Sequence, residues 1–283
     1  MPALNEFHKP ADLPAALALL KRTSPRTVPL AGGTWLNPRL GQEVPAEAVV
    51  DLSGLGLDQI QRDADTLFLG AMATLAAVTE DETCRSLADG ILAQTARRDA
   101  TVNVRNAATL GGTLVVAPVD SELILALLAL EAELSVRSDE MATWPLCQFL
   151  ADPVAALDVG LLTQVRIHLP RRASGGLARV ARTPSDHPIV AAVAVVADDA
   201  DGMRVALGGV AHRPLLVELD PVMRNESNWL DGAEAAVAQA IAAAEPYADF
   251  RGTADYRRAM GAVTARRAFE GAFVSRHRSE GVQ

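Results

Sequence analysis

The amino-acid sequence predicts an α+β fold in two domains, on three observations. Segments of strand length and segments of helical period follow one another with no regular strand–helix–strand alternation. Three strand-like segments in the C-terminal part precede two alanine-rich helical ones. Between the halves, in "TQVRIHLPRRASGG" (163–176), a strand gives way to Pro, Arg, Ser and Gly, which suits a boundary. The expected division is therefore 1–170 and 171–283. At 283 residues and 49% hydrophobic content the chain can bury a full core.

The elements follow in order. Asp12 caps a first helix, Pro14 stands in its first turn, and Leu13, Leu17 and Leu20 keep helical spacing until "TSP" (23–25) ends it. A short strand, "TVPL" (27–30), runs directly into two glycines. Three more short strands are expected within 46–55, 58–63 and 65–71, punctuated by Asp, Ser and Gly. Residues 72–98 read as mostly helical, with acidic residues near the starts and Arg97 and Arg98 at the end, as helix dipoles favour. A second glycine pair lies in 104–136, ahead of a helix from about Ser121 and a strand. Beyond the boundary, "GLARVART", "HPIVAAVAVVA" and "MRVALGGVA" read as strands, and 233–244 and 254–277 as helices. The glycines of "ASGG" (173–176) and "LGG" (207–209) suit plain turns. On the last helix, Tyr256, Arg257 and Arg258 suit packing and a charged face.

Composition narrows function. With 26 basic against 35 acidic residues the net charge is −9, the wrong sign for a phosphate-backbone partner, so no nucleic acid is expected. No apolar run reaches the ~20 residues of a membrane span, and residues 187–197 read as a buried strand. The start "MPALNEFHKP" lacks a signal-peptide pattern, so a cytoplasmic location is expected. Cys84 and Cys147 form no CxxC pair for zinc or an iron–sulfur cluster, and His168, His187 and His212 share no metal spacing; no metal is expected on this chain.

Gly-Gly-Thr occurs twice, at Gly32, Gly33, Thr34 and at Gly111, Gly112, Thr113. Glycine reaches positive φ without strain, so such a turn aims successive N–H groups at one point, and the missing Cβ atoms admit an anion. A neighbouring hydroxyl adds a donor. Two such loops suit the two sides of a diphosphate, with Arg105 upstream of the second to supply charge; either glycine pair alone also suits an ordinary turn. "GLGLDQ" (54–59) fails the G-x-G-x-x-G pattern and no P-loop exists, so any dinucleotide binds outside those schemes.

In context, "PLAGGTWL", then "VRNAATLGGTL", "SELILALLALEAEL" and "ADYRRAMGAVTARRAFEGA" resemble the FAD-binding medium subunit of molybdenum hydroxylases, the family of xanthine dehydrogenase and carbon monoxide dehydrogenase flavoprotein subunits. The resemblance runs from about Asn5 to the last helix. It implies a vanillyl-alcohol oxidase (PCMH) type FAD-binding domain followed by a smaller C-terminal domain of antiparallel sheet plus helices, of the CO dehydrogenase flavoprotein type. It also implies that the glycine loops hold the FAD pyrophosphate. Carried over, Leu30, Ala31, Gly32, Gly33, Thr34, Trp35 and Leu36 would form the first loop, and Thr109, Leu110, Gly111, Gly112 and Thr113 the second. Ala71 would line the flavin site, Glu122 falls where the family commonly has Asp, and Arg179 or Arg182 lies near a basic position beside the flavin. Trp35 replaces a common Asp, and Thr113 a common Asn or Ser.

The function so implied is electron transfer within a complex, a heterotrimer or its dimer. A molybdenum cofactor large subunit would oxidise the organic substrate, and a [2Fe–2S] small subunit would relay electrons to FAD on this chain. NAD⁺, dioxygen or another acceptor would then receive them. No side chain here is expected to be catalytic. The alternatives are a stand-alone FAD oxidoreductase and a scaffold subunit that has lost FAD.

Overall fold

A computed structural model describes residues 4–158, 160–184, 186–197, 202–220 and 229–280, with side chains of the last helix through Val274. The early elements are β1 (Glu6–His8), α1 (Leu13–Leu20), β2 (Thr27–Leu30), β3 (Ala48–Asp51), β4 (Ile60–Asp63) and β5 (Thr66–Gly70). Short helices follow: α2 (Leu75–Glu80), α3 (Glu82–Ser86), α4 (Ile91–Asp99), α5 (Val102–Arg105), α6 (Leu110–Val116) and α7 (Glu122–Ala129). Then come β6 (Glu133–Arg137), β7 (Met141–Pro145), α8 (Leu146–Ala151), α9 (Pro153–Leu157), β8 (Leu161–His168) and β9 (Ala173–Val180). The chain continues through β10 (Val190–Ala197), β11 (Met203–Gly208), β12 (Leu215–Leu219), α10 (Trp229–Ala243) and α11 (Ala254–Glu280).

These elements pack as two units, the first comprising Met1–Val78, Ala100–Val116 and Glu133–Arg166, and the second Thr79–Asp99, Ala117–Ala132 and Ile167–Gln283. In the first, Asp12 Oδ1 accepts the N–H of Ala15 at 2.8 Å, the cap expected of α1. Buried β3 pairs in parallel with β1 on one side and β2 on the other, and a cluster of Ala16, Leu17, Val50, Leu52 and Leu161 fills the space under α1. A second sheet runs β4-β5-β8-β6-β7.

The second unit is built on the antiparallel sheet β12-β11-β10-β9. All eight residues of β10 are buried, which is why its sequence is apolar without alternation. Val190, Ala192, Ala194 and Val196 pack into one cluster with Val237 and Ile241 of α10 and Ala268, Phe269 and Ala272 of α11. Ser121 caps α7 by accepting the N–H of Ile124 at 3.2 Å, and all of α7 is buried.

Two expectations about the last third of the chain are corrected. The glycines of "ASGG" form no turn: they lie inside β9, where Gly176 faces the backbone of α11 at Ala268 and Ala272 and Gly175 faces the carbonyl of Ala88. The strand is glycine-rich because backbone approaches it from both faces. In "LGG", Gly208 ends β11 and only Gly209 (φ 76°) makes the turn. Arg257 does not belong to a charged face; it is fully buried and donates to the carbonyls of Ile189 (2.7 Å) and Gly209 (2.6 Å) and to Asp249 Oδ1 (2.6 Å), with Tyr247 stacked on its guanidinium.

Among the described residues, no helix is long and apolar enough to cross a membrane.

Candidate functional site

The first glycine pair follows β2, as the sequence indicates. Leu30 ends the strand, Ala31 packs on the cluster under α1, and Gly33 takes φ 70°. The chain then turns through Thr34, Trp35 and Leu36, closed by the N–H of Asn37 donating to Gly33 O at 2.9 Å. Gly32 is required sterically, because a Cβ there would lie 2.7 Å from the carbonyl carbon of Ala107 and closer still to its oxygen. Among the described residues, no protein acceptor pairs with the N–H of Gly32, Gly33, Thr34 or Trp35. Four successive open donors on half-exposed backbone form an anion nest.

The second pair is placed differently from the first. Gly111 and Gly112 lie in the first turn of α6, whose N–H groups are engaged by protein: Leu110 donates to Ala73 O (2.9 Å), Gly111 to Ala71 O (2.7 Å), Gly112 to Thr109 Oγ1 (3.1 Å) and Thr113 to Thr109 O (3.0 Å). Thr109 thus caps the helix with its hydroxyl. A Cβ on Gly111 would lie 2.8 Å from Ala71 O, so this glycine serves the close approach of 71–73 to 109–111. The Thr113 hydroxyl donates to Thr109 O at 3.1 Å. Arg105 is committed as well, its guanidinium donating to Ala100 O at 2.7 Å. Three segments, 31–33, 71–75 and 107–111, therefore converge, and the run of successive open donors lies at the first.

In the second unit, Glu122 and Arg179 meet, far apart in sequence. Arg179 Nε stands 3.3 Å from Glu122 Oε1, while another of its nitrogens donates to Asp186 O. The Glu122–Arg179 approach lacks hydrogen-bond alignment, and both Glu122 oxygens, on a residue 2% exposed, have no hydrogen-bond partner. Burial pushes the Glu122 carboxyl above its ordinary range, against the pull of Arg179 and Arg98. Arg182 is turned elsewhere, donating to Phe250 O at 3.2 Å, so of the two candidate arginines Arg179 is the one that joins Glu122.

Sequence reading missed two neighbours. Asp99 accepts the Ser121 hydroxyl at 2.7 Å, and its carboxyl is raised by burial despite that bond, the Leu123 N–H and His187. Arg39 lies over the Trp35 indole, 4.6 Å from the ring centre. Its only sequence signal is the spacing of Trp35, Arg39 and Glu43, four residues apart each time. His212 is structural, stacked on Tyr247 at 4.8 Å.

Known proteins bear on this geometry. The family model described as "FAD binding domain in molybdopterin dehydrogenase" matches residues 3–171. The chain is 32% identical over 260 residues to the uncharacterized protein YgfM of Escherichia coli K12, covering 90% of this chain and 91% of YgfM. It is 28% identical to the carbon monoxide dehydrogenase medium chain of Afipia carboxidovorans, across 95% and 97% of the two chains. The solved carbon monoxide dehydrogenase of Hydrogenophaga pseudoflava that lacks the Mo-pyranopterin moiety superimposes with TM-score 0.84 over 97% of this chain and 99% of that one; at 23% identity the likeness is one of fold.

Proposed function

Because the chain belongs to the family of FAD-binding domains of molybdopterin dehydrogenases, we propose that it takes electrons from a [2Fe–2S] partner subunit and passes them to NAD⁺, dioxygen or another acceptor. The coarser facts are that it is an FAD-binding medium subunit of the molybdenum hydroxylase type, an oxidoreductase subunit, with the PCMH-type domain and antiparallel sheet plus helices of its relatives. The division at residue 170 into an FAD-binding domain and a C-terminal domain has support in the family match, which ends at residue 171.

The residues present fit FAD. A diphosphate needs several donors converging on one place, and the N–H groups of Gly32, Gly33, Thr34 and Trp35 supply them. A buried carboxylate without a hydrogen bond calls for a donor, and neither Glu122 oxygen accepts one within the protein. The cofactor contacts proposed are Leu30 to Leu36, Ala71, Arg105 and Thr109 to Thr113 in the first unit, and Glu122 and Arg179 in the second. Their roles differ. The first loop binds by its backbone; Thr109, Gly111 and Ala71 hold that region together by close packing; Glu122 accepts and Arg179 orients it. FAD, when bound, supplies two-electron storage that can be filled singly. No side chain in these positions needs to act as a nucleophile or base.

The partners proposed are a [2Fe–2S] small subunit and a molybdenum cofactor large subunit, in a heterotrimer or its dimer, in the cytoplasm. The medium-chain relative supports membership of a larger assembly. The observation that carries the reading is the open donor row at Gly32 to Trp35. Its test is the visible spectrum of the purified chain, alone and with co-purifying partners. Flavin bands, bleached when reduced iron–sulfur partner is added, are expected; a colourless protein that takes up no added FAD would sink it.

A further inference from the structure

We propose that Trp35 is the stacking platform for the adenine of the bound dinucleotide, and so selects FAD over FMN; this rests on the reading that the loop takes the FAD diphosphate. The indole is 42% exposed and, among the described residues, belongs neither to the cluster under α1 nor to that of the second unit. One face is covered by Arg39, whose guanidinium lies 4.6 Å from the ring centre. Arg39 Nη1 donates to the Trp35 carbonyl at 2.9 Å, and its Nε stands 3.1 Å from Glu43 Oε2, so ring and backbone are pinned by one side chain that is itself anchored. A large, partly exposed aromatic with one face against a cation is prepared for a second flat ring, and its entropy is already restricted before any ligand arrives.

The indole springs from the same residue that ends the open donor row. A ligand with its diphosphate on those donors carries its adenine one ribose away. The indole N–H can only donate, so Trp35 offers no acceptor to a phosphate's competing cations and no negative charge to repel it. Adenine on the face opposite Arg39 would complete a sandwich of guanidinium, indole and base, with stacking and cation–π attraction acting together. FMN lacks the adenylate half and gains nothing from this arrangement.

The test uses the full chain, with any partners that co-purify, stripped of cofactor and titrated with FAD, ADP and FMN. Binding is followed by tryptophan fluorescence and by equilibrium ultrafiltration. FAD and ADP should quench part of the emission, and that part should vanish in Trp35→Phe, which keeps a stacking ring and near-normal affinity. Trp35→Ala should weaken FAD and ADP about 5- to 150-fold, the range measured for losing one base–aromatic stack, and leave FMN unchanged. Thermal unfolding of each variant separates a binding defect from a fold defect. Undiminished FAD affinity in Trp35→Ala, or FMN weakened as much as FAD, would overturn the role of Trp35 while leaving the loop reading intact. Wild-type chain that binds neither FAD nor ADP would overturn both.

Discussion

Replacing Gly32 by alanine separates packing from backbone strain at the nest. The added methyl would stand 2.7 Å from the Ala107 carbonyl carbon and 3.2 Å from Ala108 Cα. Carbon atoms rest at about 3.5–4.0 Å, and the Ala107 oxygen would be closer still, so one backbone must retreat by more than about 1 Å. Residues 107–108 have little freedom to do so. The N–H groups of Ala107 and Ala108 both donate to Val104 O, and Ala108 O accepts from Leu75 at 2.9 Å. Overpacking of this kind costs about 1–3 kcal/mol, and a lost backbone hydrogen bond about 1 kcal/mol more, so Gly32→Ala should destabilise by about 2–4 kcal/mol. Gly56→Ala is the control, since φ is 67° there and a Cβ would meet nothing within 4 Å. It should show only the left-handed penalty of about 1–2 kcal/mol. Urea midpoints at matched slopes give both values, and flavin retained after gel filtration reports the effect on binding. Equal stability loss in the two variants, with equal flavin content, would refute the claim that the glycine serves a backbone-to-backbone contact at the cofactor loop.

Arg257→Met should cost about 3–5 kcal/mol in a denaturation midpoint, because it strands two buried carbonyls and removes the ion pair to Asp249, and Arg257→Lys should recover only part of it. Asp249 gives an acid dependence. Burial pushes its carboxyl up, but hydrogen bonds from Arg257 and from the N–H groups of Arg251 and Gly252 outweigh this and hold it at about 2, against an ordinary 3.8. The stability it contributes is therefore complete above about pH 4 and lost as pH falls through 2, so the gap between wild type and Asp249→Asn should close over that window. Glu122 has the opposite sign: its carboxyl is raised from an ordinary 4.5 by burial, so its ionisation opposes folding as pH climbs past that value. Cofactor-free Glu122→Gln should be more stable than wild type at neutral pH and converge with it below about pH 4.5 in thermal melts. Exposed Ala64, at φ 48° between β4 and β5, should gain about 1 kcal/mol on replacement by glycine, read as a raised urea midpoint.

Local signals translated most directly from sequence to structure. Asp12 and Ser121 cap the helices expected of them, since a cap depends on residues three positions away and on nothing distant. The unbroken apolar run of 187–197 became the fully buried strand β10, because a sheet covered on both faces leaves no position for a polar residue. The glycine pair after β2 was recognisable as a turn able to present donors, since chirality alone limits who can occupy φ 70°.

What the sequence could not say was how the two Gly-Gly-Thr repeats divide their work. Identical tripeptides became an open donor row in one place and the first turn of a capped helix in the other, and the difference lies in Ala71, Ala73 and Thr109, which take up the second set of N–H groups. Arg257 looked like one more charge on an exposed helix, and only the arrival of Ile189, Gly209 and Asp249 around it makes burial affordable. The glycines of β9 read as a turn until a helix backbone is laid against them. Composition and motif thus determined the class of fold, the family and a glycine turn able to present open donors. Which donors stay open, which charges are buried and which pairs meet, Glu122 with Arg179 and Trp35 with Arg39, was decided by tertiary packing, because hydrogen-bond satisfaction and desolvation depend on what the rest of the chain brings alongside.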